Sequence, residues 1–133
     1  MPLRLEIVTP EAKTFDSDVD LVVLPGVEGE FGVLPGHEHL ITQILPGELV
    51  VRQNNQEIYL AVGEGFVEVD ADRVSVLTDM AVNANDIDEK EAEEARKRAE
   101  KALEEKGGVE DEAYQAMLRN SLAKIKVKQH RHR

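Results

Sequence analysis

For about the first 83 residues, apolar side chains recur at every second position. Leu3, Leu5 and Ile7 alternate with Arg4, Glu6 and Val8. Leu49-Val50-Val51-Arg52 runs into the turn pair Asn54-Asn55, and the pattern resumes at Ile58-Tyr59-Leu60-Ala61-Val62. Phe66, Val67 and Val69 precede a second turn, Asp70-Ala71-Asp72, and Val74, Val76 and Leu77 close the series. Period two places alternate residues on opposite faces of a strand. With turns roughly every 8–12 residues, it predicts eight to ten short strands in an all-β sandwich or flattened barrel. Within this half, Gly26 to Gly47 carries five glycines and two prolines between short apolar runs, and so bends the backbone at fixed places. It reads as a segment that presents Glu30, His37 and Glu38 on rigid loops.

The pattern changes at Asn83. Asn83-Ala84-Asn85-Asp86 is a polar break rich in helix-capping residues, and Asp86 with Glu89 three positions later has the spacing of a capping box. From Ile87 to Lys106 nearly every residue is a strong helix former. Ala92, Ala95, Ala99, Ala102 and Leu103 fall on one helical face, and Gly107-Gly108 ends the helix. A second helix is expected from about Glu110 to Val127, with Ala113, Ala116, Met117, Asn120, Ala123, Lys124 and Val127 along one side. The expected class is therefore α+β: a β-sandwich over residues 1–84, then an antiparallel two-helix hairpin over 85–133. An alanine stripe buries little area, at about 25 cal/mol per Å². The hairpin should be weakly attached yet helical in its own right. A static cap and an arm that undocks without melting are both compatible with that.

Charge sharpens the picture. The chain carries −11 overall, but residues 113–133 hold no acid and six bases, against an acidic remainder. A basic end on an acidic body should seek acidic surface, its own or a partner's. The acidic body would repel phosphate, which argues against nucleic acid. With hydrophobic residues at 41% and aromatics at 4%, the core is aliphatic. The absence of cysteine excludes disulfides, thiolate metal sites and thiol nucleophiles, and fits a reducing compartment. The first residues lack a signal-peptide pattern, and the longest apolar run, about Leu21 to Pro25, is far short of a membrane span.

The chemistry on offer is sparse. His37 and His39 would share a face of a strand and could chelate a metal, but no third ligand is evident nearby; a polar surface loop is the simpler reading, and no metal site is expected. His130 and His132 lie in the basic terminus. Gly-x-Ser-x-Gly is absent, Gly26-x-x-Gly29-x-x-Gly32 does not lead into a phosphate-binding helix, and no carboxylate pair stands out as acid and base. No catalysis and no cofactor are expected.

The chain resembles the epsilon subunit of the bacterial F-type ATP synthase. The likeness rests on Leu5-Glu6-Ile7-Val8-Thr9-Pro10 and Phe15; on Gly26, Gly29, Gly32, Pro35, His37, Leu40, Thr42 and Gly47; on Gly63 to Val69 and Val74 to Ala81; and on Ile87-Asp88 opening the second domain. His39 departs from it, since the family commonly has proline there. The resemblance implies a rotor subunit of the central stalk whose sandwich binds gamma and rests on the c ring, with Glu30, His37 and Glu38 on that interface. It would help couple proton flow to ATP synthesis. The helical arm would extend along gamma and inhibit ATP hydrolysis, with Arg119, Lys124, Lys126 and Lys128 facing an acidic loop of the beta subunit. Alpha and beta would be further partners, and the complex would hold the protein peripherally at the cytoplasmic face of the bacterial plasma membrane. Some family members bind ATP through Ile/Leu-Asp-x-x-Arg-Ala. Here Ile87-Asp88-Glu89-Lys90-Glu91-Ala92 puts an acid in the arginine's place, so Asp88 and Arg98 read as a vestigial nucleotide motif and ATP binding should be weak or absent. The alternatives are a free-standing sensor with a ligand-switched hairpin and a metal-dependent β-barrel enzyme.

Overall fold

A computed structural model describes residues 2–105 and 111–131. The expected helix stop at Gly107-Gly108, the start at Glu110, and His132 lie outside the described residues. Ten strands precede the helices: β1 (Leu3–Val8), β2 (Lys13–Val19), β3 (Leu21–Gly26), β4 (Gly29–Val33), β5 (Leu40–Ile44), β6 (Gly47–Gln53), β7 (Gln56–Val62), β8 (Gly65–Val69), β9 (Arg73–Thr78) and β10 (Ala81–Asn83). They form one hydrogen-bonded sheet in the order β10-β7-β6-β3-β5-β8-β9-β1-β2, with β4 also on β3. It folds into a sandwich because β3 serves both layers. β3 pairs with β6 through Leu21, Val22 and Val23, and reaches β5 only at Gly26 opposite Ile44. All pairings are antiparallel except β1 with β9.

Period two sets the core. Leu3, Leu5 and Ile7 of β1 are fully buried, as are Val74 and Val76 of β9, Val67 and Val69 of β8, and Leu49 and Val51 of β6. Sixteen buried residues make up this cluster. The Asn54-Asn55 turn closes β6 on β7 with both residues at positive φ (55° and 64°), the conformation a two-residue hairpin demands and asparagine tolerates. At the start of β8, an added Cβ on Gly65 would lie 1.9 Å from the Leu77 carbonyl oxygen, so only glycine allows the β8–β9 contact.

Two helices follow, α1 (Glu89–Glu105) and α2 (Glu112–Arg131), after a 3-10 turn at Ala84–Asp86. The expected capping box is displaced. Asn83 caps the 3-10 turn, accepting from the Asn85 N–H, while Asp88 caps α1, its Oδ1 accepting from the Glu91 N–H at 3.1 Å. The short turn takes up Asp86, and Ile87 goes to the interior rather than opening the helix. α2 packs on β6 and β7, and α1 packs on α2. A helix between two layers must bury two sides. Ser121 and Ile125 therefore lie on one side of α2, with Ala123 and Val127 on nearly the opposite side, all buried. The expected single stripe is half of this arrangement, and Ala113, one of its members, is exposed.

Candidate functional site

Arm and sandwich meet along α2. A second apolar cluster joins them through Ala61 of β7, Ala84, Ile87 and Val127 of α2, flanked by Tyr59, Met80 and Val82. Only Ile87 and Val127 bring large side chains among its four buried members. At one corner the backbone of Gly63 lies so close to α2 that an added Cβ would stand 2.8 Å from Asn120 Oδ1.

Charge completes the seat. Arg119 Nη2 lies 3.2 Å from Glu64 Oε2. Lys128 Nζ donates to the Ala84 carbonyl at 3.3 Å. His130 Nδ1 lies 2.9 Å from Glu48 Oε2, and its ring meets Tyr59 edge-on with centroids 5.9 Å apart. Lys126 lines a groove of about 840 Å³ between the end of α2 and the β6–β7 face, opposite Glu30, Glu48 and Glu57. Lys124 lines a smaller cleft of about 270 Å³ with Asp86, Asp88 and Glu91. Of the four cations, Arg119 pairs with an acid of the sandwich, Lys128 meets a carbonyl, and Lys124 and Lys126 line clefts that also hold carboxylates.

Other expected residues do not gather. Glu30 sits at the β3–β4 turn, opposite Pro25, and faces the groove under α2. His37 and Glu38 lie beyond the other end of β4, where the Gly36 N–H donates to the Ala71 carbonyl at 2.6 Å. The sequence groups all three because they fall within eight positions, but the rest of β4, residues 31–33, carries the chain away from Glu30 before the other two. His37 and His39 also part. His37 Nδ1 contacts the Glu38 carbonyl at 2.7 Å, whereas His39 Nε2 faces Glu68 at 3.2 Å and Asp70 at 3.7 Å. Asp88 is occupied as a helix cap, and Arg98 is exposed more than two turns further on, outside the Asp88–Lys124 cleft.

The broad face away from the arm went unnoticed in the sequence. On β5, β8 and β9 the outward residues include Ile41, Phe66 and Leu77, each about 60% exposed (63%, 59% and 59%). Phe66 pairs directly with Leu77 across the ladder, and Ile41 lies diagonally across the β5–β8 ladder from Phe66. Three large apolar side chains together on one open sheet face are unusual on a free surface. The clue was Phe66, in phase with Glu64 and Glu68 rather than with the buried Val67 and Val69.

Nothing in the described residues is arranged as a reaction centre. The buried polar side chains are Thr78 and Ser121. Thr78 Oγ1 lies 3.0 Å from the Glu64 carbonyl and 3.2 Å from the Met80 carbonyl, between which its one hydrogen is shared, and Ser121 Oγ donates to the Met117 carbonyl at 2.7 Å. Both hydroxyls serve the backbone.

Comparison with known proteins matches both halves of the chain. Residues 2–84 fit the beta-sandwich domain of the ATP synthase Delta/Epsilon chain, and residues 85–129 fit the long alpha-helix domain of the same chain. The ATP synthase epsilon chain of Herpetosiphon aurantiacus is 42% identical over 128 residues, covering 96% of this chain and 94% of the relative. The ATP synthase epsilon chain 2 of Ralstonia nicotianae is 41% identical, covering 94% and 92%. Among solved structures, a chain of the Euglena gracilis mitochondrial ATP synthase aligns with a TM-score of 0.67 at 23% identity, covering 98% of this chain and 79% of that one. A chain of the Tetrahymena thermophila mitochondrial ATP synthase central stalk and c ring aligns with a TM-score of 0.58 at 12% identity, covering 100% and 98%. At those identities the two structures speak for the fold.

Proposed function

The chain belongs to the ATP synthase delta/epsilon chain family, and we propose that it serves as the epsilon subunit of an F-type ATP synthase: a non-catalytic member of the rotating central stalk. Its sandwich binds gamma and rests on the c ring, and its helical arm governs ATP hydrolysis by the alpha and beta subunits. It couples proton-driven rotation to ATP synthesis and is held at the cytoplasmic face of the bacterial membrane by the complex. No described helix is long and apolar enough to cross a membrane.

In this reading the open Ile41–Phe66–Leu77 face is the gamma seat. The opposite broad face is covered by α2, and apolar surface of this kind is what a stable subunit interface needs. His37 and Glu38 border that seat, because their loop runs straight into β5. Glu30, at the far tip of the β3–β4 hairpin, is assigned to the c ring. The domain roles divide at the 84/85 boundary, with the sandwich as anchor and the hairpin as regulator.

The observation that carries the regulatory part is the imbalance between the two apolar clusters: the one linking arm and sandwich has four buried residues, two of them alanines of the sandwich, against sixteen in the sandwich core. Detaching the arm costs little, while the anchor stays folded. Once detached, Arg119, Lys124, Lys126 and Lys128 are free to meet acidic surface on beta. The same cations cannot serve both positions, so docking and inhibition exclude each other.

The test is copurification. The full chain should retain its cognate gamma, and Phe66→Asp with Leu77→Asp should lose it while remaining folded. Failure of the unmodified chain to retain gamma refutes the assignment.

A further inference from the structure

We propose that His39, Glu68 and Asp70 form a surface site for one first-row divalent cation of the zinc type. The inference goes beyond the rotor reading and does not depend on it.

The sheet register builds the site. In the antiparallel β5–β8 ladder, Leu40 stands opposite Val69 and Ile41 opposite Glu68. One step further, the same register puts His39 opposite Asp70. Glu68 lies in β8 and Asp70 is the first residue beyond it, two positions on, while Val69 between them is buried. The β5–β8 pairing thus brings Glu68 and the two residues flanking the ladder end, His39 and Asp70, together on the surface.

The distances suit a metal. The three ligand atoms lie within 4.8 Å of one another. For tetrahedral zinc, bonds of about 2.1 Å place neighbouring ligand atoms about 3.4 Å apart. His39 Nε2 stands 3.2 Å from Glu68 Oε2 and 3.7 Å from Asp70 Oδ1, on either side of that value. Small side-chain adjustments would admit the ion.

Charge points the same way. Among the described residues, neither Glu68 nor Asp70 has a lysine or arginine within 4 Å, and the neighbouring Arg73 is engaged by Glu6. Two adjacent carboxylates share a single imidazole, and a divalent ion would relieve their mutual repulsion. Imidazole nitrogen with two carboxylates favours zinc or its neighbours over magnesium and calcium. All three side chains are about half exposed (59%, 53% and 51%), so water would complete the coordination. A filled site would pin the 34–39 loop to the end of β8 beside Ile41 and Phe66.

The test is calorimetric titration of Zn²⁺ into the full chain in chelator-free buffer at pH 7.5. We expect one ion per chain with a dissociation constant on the order of 10 µM. His39→Ala should weaken binding at least about 10-fold. Glu68→Gln and Asp70→Asn should do likewise, and unchanged thermal melting would show that these exposed positions do not affect the fold. His130→Ala should leave zinc binding unchanged. Binding weaker than about 1 mM overturns the site, as does equal affinity in His39→Ala. A chain that retains gamma but takes no zinc defeats this site alone, and one that takes zinc but no gamma defeats only the rotor reading.

Discussion

Val127→Ala should loosen the arm and leave the sandwich intact. Val127 is fully buried and is one of two large side chains in the cluster joining α2 to the sandwich. The substitution removes two buried carbons, worth about 0.8 kcal/mol each, and leaves a cavity, so about 2 kcal/mol is lost from docking. At 1.4 kcal/mol per factor of ten, the docked-to-undocked ratio falls roughly 30-fold. Partial compensation from Arg119–Glu64 is not available, since an exposed pair is worth about 0.2–1 kcal/mol and is already formed. The chain has no cysteine, so a cysteine pair at exposed Gln56 and Gln129 can be labelled cleanly for energy transfer. Transfer efficiency should drop in Val127→Ala, with helical circular dichroism retained and sandwich melting unchanged. By contrast, Val76→Ala, within the sixteen-residue cluster, should lower sandwich melting and leave transfer intact below the transition. If Val127→Ala lowers sandwich melting as much as Val76→Ala does, arm and sandwich are one cooperative unit and the reasoning from the two clusters is wrong.

Replacing Arg119, Lys124, Lys126 and Lys128 together by glutamine should weaken inhibition of ATP hydrolysis in the reassembled complex. Inhibition that is unchanged by the replacement, and equal at low and high salt, would remove the electrostatic account. ATP binding should be poor, because Asp86, Asp88 and Glu91 line the cleft with Lys124. A micromolar dissociation constant by calorimetry contradicts this. Asp88→Ala should cost α1 about 1 kcal/mol through its lost cap, read as faster amide exchange in the first turn. At the sheet edge, the hydrogen bond from Arg4 holds the Asp16 carboxyl below its ordinary value against partial desolvation, with attraction from Arg4 and Lys13 assisting. A depressed carboxyl stabilises the fold above its unfolded value and loses that contribution as pH falls through the folded one. Asp16→Asn should therefore melt with a shallower pH dependence between about pH 5 and 2.5 than the unmodified chain, and an equal slope would contradict the assignment.

The strands were legible because a half-buried strand has a two-residue signature that needs no partner to be seen: Leu3, Leu5 and Ile7 announce β1 by themselves. Asn54-Asn55 was equally plain, since few residues accept two successive positive φ angles. What the sequence hid was set by distant partners. The parallel pairing of β1 with β9 leaves no local mark. Nor do the acids that receive His39, 29 residues away, or His130, 82 residues away. Nearness in sequence also misled. Glu30 and His37 are close along the chain, but the extended run 31–33 of β4 holds them apart. Asp86 has an acid three residues on, as a capping box requires, but so does Asp88, and it is the intervening 3-10 turn that gives the cap to Asp88.

The arm's design follows from how unequally its stability is distributed. Within α1, Arg96 bridges Glu93 and Glu100 along the helix surface, an internal support that survives whatever happens at the seat. α1 packs chiefly on α2, so lifting α2 carries both helices together. The sandwich's main core is built from strand residues, and among the described residues Val127 is the one residue of α1 or α2 in either cluster, outside the main one. What joins the two bodies is the small apolar cluster around Val127 and Ile87, the Arg119–Glu64 and His130–Glu48 pairs, and the Lys128 bond to the Ala84 carbonyl. Apolar contact fixes where the arm docks, while charge sets how readily it leaves, because the cations lose little by exchanging one acidic surface for another. A switch built this way needs only a competing acidic surface of similar strength to move it.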